Sequence, residues 1–168
     1  MDRLKIWTEI PSPVGPLRLT GDGNALTGLY LSPHQYGPTE FPEHSRGSDP
    51  ALTEAARQLT AYFDGMLQEF VLPLAPMGTP FQRRVWEALC QIPYGATISY
   101  LDLARRVANE KAVRAVGGAN GRNPISIIIP CHRVIGADGS LVGYGGGLDR
   151  KRWLLQLEGA ALRLELPI

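Results

Sequence analysis

The chain has 168 residues, 44% of them hydrophobic and 20% charged, with a formal net charge of +1. That length suits one large domain or two small ones with a real core, no apolar run approaches the ~20 residues of a bilayer span, and the start, Met1-Asp2-Arg3-Leu4-Lys5, lacks the apolar region of a secretory signal. Two cysteines and three histidines give neither a disulfide framework nor zinc spacing, so a reducing, cytoplasmic setting without a metal is expected.

The first half opens with alternation. Leu4, Ile6, Thr8 and Ile10 face one way and Lys5, Trp7 and Glu9 the other, the period of a half-buried strand. Residues 11–16 make a turn and 17–20 a second strand. Asp22-Gly23-Asn24 is a hairpin signal leading to a third strand over 26–31. Residues 32–49, rich in Pro, Gly, Ser, His and Glu, read as a long, exposed, mobile loop. Asp49-Pro50 joins a capping residue to a proline at the first helical position. Leu52, Ala55, Ala56, Leu59, Tyr62 and Phe63 then recur at helical spacing up to Gly65. Residues 73–78 form the linker. Residues 1–78 are therefore expected to be a small α/β domain with a short antiparallel sheet, and 79–168 a second domain.

Thr79-Pro80-Phe81-Gln82 has the form of a capping box. Phe81, Val85, Ala88, Leu89 and Ile92 give the following helix its apolar stripe, Pro93 ends it, and Cys90 reads as a small core residue within it. Ser99 caps another helix running through Leu103, Ala104 and Val107, and after Asn109-Glu110 a third covers residues 111 to about 120. Two short helices joined by a tight turn predict a helix-turn-helix. The second of them carries Ala112, Ala115, Gly117, Gly118, Ala119 and Gly121, with Arg114 as its long cation. Glycine is unfavourable inside a helix, so close approach to another backbone would account for it. This smooth surface is either a helix-packing face or a face lying on sugar-phosphate in the minor groove, with Arg114 entering the base stack. Charge is divided between the halves, with 5 basic and 9 acidic residues through Gly78 and 12 and 7 from Thr79 onward, which points to an anionic partner for the second half.

Asn123-Pro124 close this helix. Residues 125–129 read as a buried extended run that drives into Pro130-Cys131-His132-Arg133-Val134. Burial raises a thiol's pKa, whereas adjacent His and Arg lower it. Cys131 is thus either a buried structural cysteine or a nucleophile kept reactive in a pocket. In an extended chain Cys131 and His132 point to opposite faces, so a water would link them. A histidine base also needs an orienting group. The last helix, with Asp149 as cap, Trp153, Leu154 and Leu157 on its apolar face and Gly159 at its end, offers Glu158. Before it, residues 136–139 make a turn, and Val142-Gly143-Tyr144-Gly145-Gly146-Gly147 is either a flexible linker or a set of N–H donors beside an aromatic wall.

The order Trp86, Ile98-Ser99-Tyr100, Arg114-Ala115-Val116-Gly117-Gly118, Asn123-Pro124, Ile129-Pro130-Cys131-His132-Arg133-Val134, Tyr144-Gly145-Gly146 and Glu158-Gly159 closely resembles the O6-alkylguanine-DNA alkyltransferases. The resemblance spans the second half; the first half matches only in layout. It implies an α/β domain with an RNase H-like antiparallel sheet, then a mostly helical, winged-helix-like domain with a helix-turn-helix. It also implies direct-reversal repair in one irreversible turnover without a cofactor. Cys131 would take the alkyl group from O6 of a guanine flipped out of double-stranded DNA, with O4-alkylthymine as a further candidate.

By the same resemblance, the water-linked base falls on His132 and the glutamate that orients it on Glu158. The arginine that fills the vacated space falls on Arg114, with Ala115 and Gly118 beside it on the minor-groove face. The tyrosine that turns the phosphate and bonds the guanine falls on Tyr100. Asn123 would link helix to active-site turn, the carbonyls of Cys131 and Val134 would accept from the guanine amino group, the Gly145 N–H would face O6, and Tyr144 would line the pocket. The protein would act as a monomer, with cooperativity on DNA left open. It departs from relatives that carry zinc ligands in the first domain, a serine at Gly145 or a proline at Ser126. Other readings are a binding module of the same fold, in which tryptophan typically replaces the cysteine, a Cys-His hydrolase, which leaves Arg114 unexplained, and a plain helix-turn-helix regulator, which leaves Cys131 unexplained.

Overall fold

A computed structural model describes residues 6–34 and 36–160. Leu4 and Lys5, assigned above to the first strand, lie outside the described residues. Strands β1 (Ile6–Ile10), β2 (Leu17–Gly21) and β3 (Leu26–Leu31) form an antiparallel sheet in chain order. Asp22 Oδ1 accepts from the N–H groups of Asn24 and Ala25 and closes the β2–β3 turn. Alternation placed Ile6, Thr8 and Ile10 inward, yet Trp7 is the most buried residue of β1. The cause is residues 41–46, which fold over that face. Trp7 Nε1 donates to Pro42 O at 2.7 Å, Phe41 packs edge-on at 5.4 Å, and the Arg46 guanidinium covers the ring at 5.1 Å. The segment is therefore anchored, with a short 3-10 turn at Glu43–Ser45.

Helix α1 (Pro50–Phe63) follows, capped by Asp49 as expected, and buries Leu52, Ala55, Leu59 and Tyr62 against the sheet. Gly65, at φ +76°, takes the chain out of it. Helix α2 (Pro80–Leu89) starts with the full Thr79/Gln82 capping box. It stops short of Pro93, because Gln91 N–H and Ile92 N–H bond to the carbonyls of Ala88 and Leu89 and tighten the last turn. That turn buries Ile92 and leaves Cys90 exposed at the C-cap, so Cys90 is not a core residue.

Strand β4 (Ile98–Ser99) leads into α3 (Tyr100–Val107), capped by Ser99. A 3-10 turn at Glu110–Ala112 connects it to α4 (Val113–Gly121), and α3 and α4 make the helix-turn-helix pair. Strand β5 (Val134–Ile135) pairs in parallel with β4, and α5 (Leu148–Leu157) ends the described chain. Gly147, at φ +93°, occupies the N-cap of α5; Asp149 sits one residue inside the helix and caps nothing.

The halves share one core, which runs from Leu17 and Leu59 through Trp86 and Val116 to Leu154. The free edge of β3 provides the junction. Leu26 pairs with the linker at Leu74, and Leu29 pairs with Ile125: Leu29 N–H donates to Pro124 O at 2.9 Å and Ser126 N–H to Leu29 O at 3.2 Å. An exposed strand edge is thereby satisfied, and the segment leading to Cys131 hangs on the sheet of the first half. No helix among the described residues is long and apolar enough to cross a membrane.

Candidate active site

The run before Cys131 is not extended. Ile128 N–H bonds to Ser126 O at 2.8 Å around Ile127, whose φ of +71° makes this a γ-turn of the rare, strained kind. A β-branched residue at positive φ costs about 1–3 kcal/mol and is held only by its surroundings. Here Asn123 does the holding. Its Oδ1 accepts from Ile125 N–H at 2.9 Å and its Nδ2 donates to Ile129 O at 2.7 Å. Pro130, at φ −83° and ψ 63°, centres an inverse γ-turn closed by Cys131 N–H on Ile129 O, and residues Cys131–Arg133 then coil as a 3-10 turn. Cys131, 6% exposed, sits where the chain leaves these turns.

Behind it, Glu158 collects four hydrogen bonds. Its Oε2 accepts from His132 Nε2 at 2.8 Å, from Tyr62 Oη at 2.5 Å and from Arg133 Nη2 at 3.0 Å, and its Oε1 from Arg133 Nε at 2.7 Å. Burial works to raise the Glu158 pKa, but the bonds from His132, Arg133 and Tyr62 prevail and hold it at about 2. Burial also lowers the pKa of His132, Glu158 opposes this, and Arg133 and Lys151 push it further down. His132 is therefore a neutral imidazole. Because a carboxylate only accepts, the proton sits on Nε2, and Nδ1 keeps a bare lone pair, buried and without a partner among the described residues.

Burial raises the Cys131 thiol, and the Asn123 amide, Lys151 and nearby main-chain N–H groups only partly offset it. The expectation that His132 and Arg133 depress this pKa is corrected: Arg133 spends its charge on Glu158, and His132 carries none. Cys131 rests as a thiol.

The pocket over Cys131 is walled by Tyr30, His34 and Tyr36 from the first half and by Asn120, Ser126 and Tyr144 to Gly146 from the second. It encloses about 440 Å³ of empty space including its mouth. The Gly145 N–H has no partner within the described protein, and a Cβ there would meet nothing. Tyr100 Oη donates to Val142 O at 3.0 Å, so the hydroxyl expected on the base is held by the glycine-rich loop. The fully buried Lys151 donates to Val134 O at 2.6 Å, Val142 O at 2.8 Å and Gly143 O at 3.2 Å, tying the two walls together. The Val134 carbonyl therefore already has a charged partner.

Tyr62, Lys151 and Asn120 were not singled out as site residues from sequence, and Arg133 was read only as a charge beside the thiol. Lys151 had a signal: it shares a helical face with Leu154, Leu155 and Glu158. Among the described residues no group of three or more His, Cys, Asp or Glu could hold a metal.

Arg114, Ala115 and Gly118 lie together on the exposed face of α4, while Val116, Ala119 and Asn120 face inward. Outside α4 itself, no atom among the described residues comes within 4 Å of a Cβ built at Gly118 or Gly121, so these glycines serve no contact with another described helix. The face is left open. Trp86 Nε1, bonded to Ala119 O at 2.9 Å, fixes α4 on α2.

Comparison with known proteins agrees with this geometry. Residues 80–160 match the family model of the 6-O-methylguanine DNA methyltransferase DNA-binding domain, and residues 5–76 that of its ribonuclease-like domain. The chain is 54% identical over 153 residues to a methylated-DNA–protein-cysteine methyltransferase of Mycobacterium leprae, covering 89% of this chain and 90% of the relative. It is 52% identical to one of Methanosarcina barkeri, covering 92% and 97%. The crystal structure of Mycobacterium tuberculosis OGT in complex with DNA superposes with a TM-score of 0.83 at 50% identity, over 91% of this chain and 92% of that one. With both halves matched and half of the residues identical to such relatives, the chain belongs to the 6-O-methylguanine DNA methyltransferase family.

Proposed function

We propose that this protein repairs O6-alkylguanine in double-stranded DNA by moving the alkyl group to Cys131. The observation that carries this is the thiol at the pocket floor, next to a histidine whose Nε2 is committed to Glu158 and whose Nδ1 is bare. Through a water, Nδ1 takes the thiol proton as sulfur attacks the alkyl carbon. The C–O6 bond breaks, its electron pair returns to the base, and a proton restores N1–H. Gly145 N–H and Tyr100 Oη are the donors for the charge that develops on the leaving base. The product is a thioether, which offers water no carbonyl, so each molecule acts once.

The exposed α4 face lies in the minor groove, Arg114 replaces the flipped nucleotide, and Ala115 and Gly118 let the backbone approach. On binding, Tyr100 exchanges Val142 O for the base. The division at residue 78, monomeric action, a cytoplasmic location and O4-alkylthymine as a lesser substrate belong to the same reading.

Intact mass after incubation with an O6-methylguanine duplex tests it. One methyl per molecule, on Cys131 and without turnover, is expected. An unmodified protein bound to the duplex would make it a lesion sensor, and turnover of a simple ester a hydrolase.

A further inference from the structure

The exposed face of α4 carries a second arginine. Arg114, Ala115, Gly118, Gly121 and Arg122 are all exposed, and at helical spacing they fall within about a third of the circumference. Arg122, the C-cap residue, lies about 12 Å beyond Arg114 along the axis. Two long cations thus stand at the ends of a floor of small residues. Arg122 pairs with no carboxylate among the described residues, whereas Arg105 on α3 is shared by Asp102 and Glu110. The Arg122 guanidinium instead lies over the ring of Tyr36, 4.5 Å from its centroid. Tyr36 belongs to the first half of the chain. It is 41% exposed and lines the pocket over Cys131 together with the exposed Gly121. The pair therefore stands on the pocket rim, where the α4 face meets the first half.

We propose that Tyr36 and Arg122 form a phosphate-binding pair through which the first half of the chain takes part in gripping DNA beside the flipped nucleotide. The assignment rests on the alkyltransferase reading above. The minor groove is only about 6 Å wide. With Arg114 at the base stack, a side chain about 12 Å further along α4 lies past the groove and over its bordering strand. A nucleotide entering the pocket draws that strand across the rim where the pair stands. Stacking occupies the face of the guanidinium and leaves the N–H groups around its edge free for phosphate oxygens. It also restricts a long side chain before DNA arrives, so less freedom is lost on binding. Arg122 is the phosphate contact, and Tyr36 acts through it as a positioning residue.

The test follows single-turnover methyl transfer from subsaturating O6-methylguanine duplex, and from the free base O6-methylguanine, over a range of salt. The proteins are the unaltered chain, Arg122→Gln, Tyr36→Leu and the double variant. Arg122→Gln is expected to slow transfer from the duplex by about 5- to 20-fold, and to flatten the plot of log rate against log salt by about 0.9. Tyr36→Leu is expected to slow it by about 2- to 5-fold, the worth of an exposed cation–π contact, and to add nothing once Arg122 is gone. Transfer from the free base should stay unchanged in all three variants. An unchanged salt slope in Arg122→Gln, or losses in the two single variants that simply multiply in the double, overturns the pair. Equal losses on duplex and free base also overturn it, because the two residues then only shape the pocket. If the unaltered protein transfers from neither substrate, the alkyltransferase reading fails. Affinity for the same duplex over the same salt range then still decides the pair: a slope shared by the unaltered protein and Arg122→Gln overturns it, and a flatter slope in Arg122→Gln supports it.

Discussion

Tyr62 brings the first half of the chain to the buried Glu158 carboxylate, and Tyr62→Phe isolates that tie. The ring is fully buried and packs against Phe63, Phe70 and Tyr94 with centroids 5.4, 5.3 and 6.2 Å away, so phenylalanine keeps the contacts and opens no cavity. What disappears is the Oη–Glu158 bond of 2.5 Å. A hydrogen bond to a charged group contributes about 1.5–3 kcal/mol. Glu158 keeps His132 and both Arg133 donors, so the lower end, about 1.5–2 kcal/mol, is expected. At about 2–4 °C per kcal/mol for a chain of this size, the melting midpoint should fall by roughly 3–8 °C.

A pH signature accompanies this loss. Glu158 is held at about 2 instead of 4.5. Its roughly 3 kcal/mol of stabilisation is complete above the unfolded value and is lost as pH falls from 4.5 towards 2. Removing one of the donors raises the folded pKa, so acid unfolding of Tyr62→Phe should begin at higher pH. The His132–Glu158 bond survives, and the single-turnover rate should stay within about threefold. Thermal melts at pH 7 and pH 4 with one rate measurement decide the matter. An unchanged midpoint, or a rate lost while stability is kept, would refute the reasoning.

Arg114→Ala should slow transfer from duplex DNA by about 10- to 100-fold, since unstacking costs a few kcal/mol, while transfer from the free base O6-methylguanine stays unchanged; equal losses on both would contradict the assigned role. The transfer rate should fall on the acid side with a midpoint below 6.5, because burial lowers the His132 pKa and the neutral imidazole is the active base; a rate–pH profile with its midpoint above 6.5 would contradict this. S-methylation of Cys131 adds bulk in a packed site beside Asn123, and the methylated protein should melt lower by about 1–3 kcal/mol in stability; a thermal shift showing no loss would count against it.

Much of the local structure was legible in residue chemistry. Asp49 and Ser99 cap helices through their own side chains, and Thr79 with Gln82 closes a capping box, since each supplies an acceptor for a nearby N–H. Cys90, Asp149 and residues 125–129 were misread for a common reason. Helical periodicity does not show where the last turn tightens, Gly147 at positive φ took the cap that Asp149 resembled, and an apolar run carries no signal for γ-turns imposed by Asn123. Trp7 was placed outward because alternation cannot register a distant loop folding back over the strand.

The sequence by itself determined the order of elements, the basic second half, the small-residue helix with Arg114, and the motif containing Cys131 and His132 with Glu158 downstream, because these follow from neighbours in the chain. Only the tertiary structure decided the state of the site. Glu158 is ionised because Tyr62, 96 residues away, and Arg133 converge on it. Cys131 rests as a thiol because burial outweighs the charges and N–H groups that favour the thiolate. Desolvation and hydrogen-bond satisfaction depend on every group that packs around an atom, and local sequence does not specify that set.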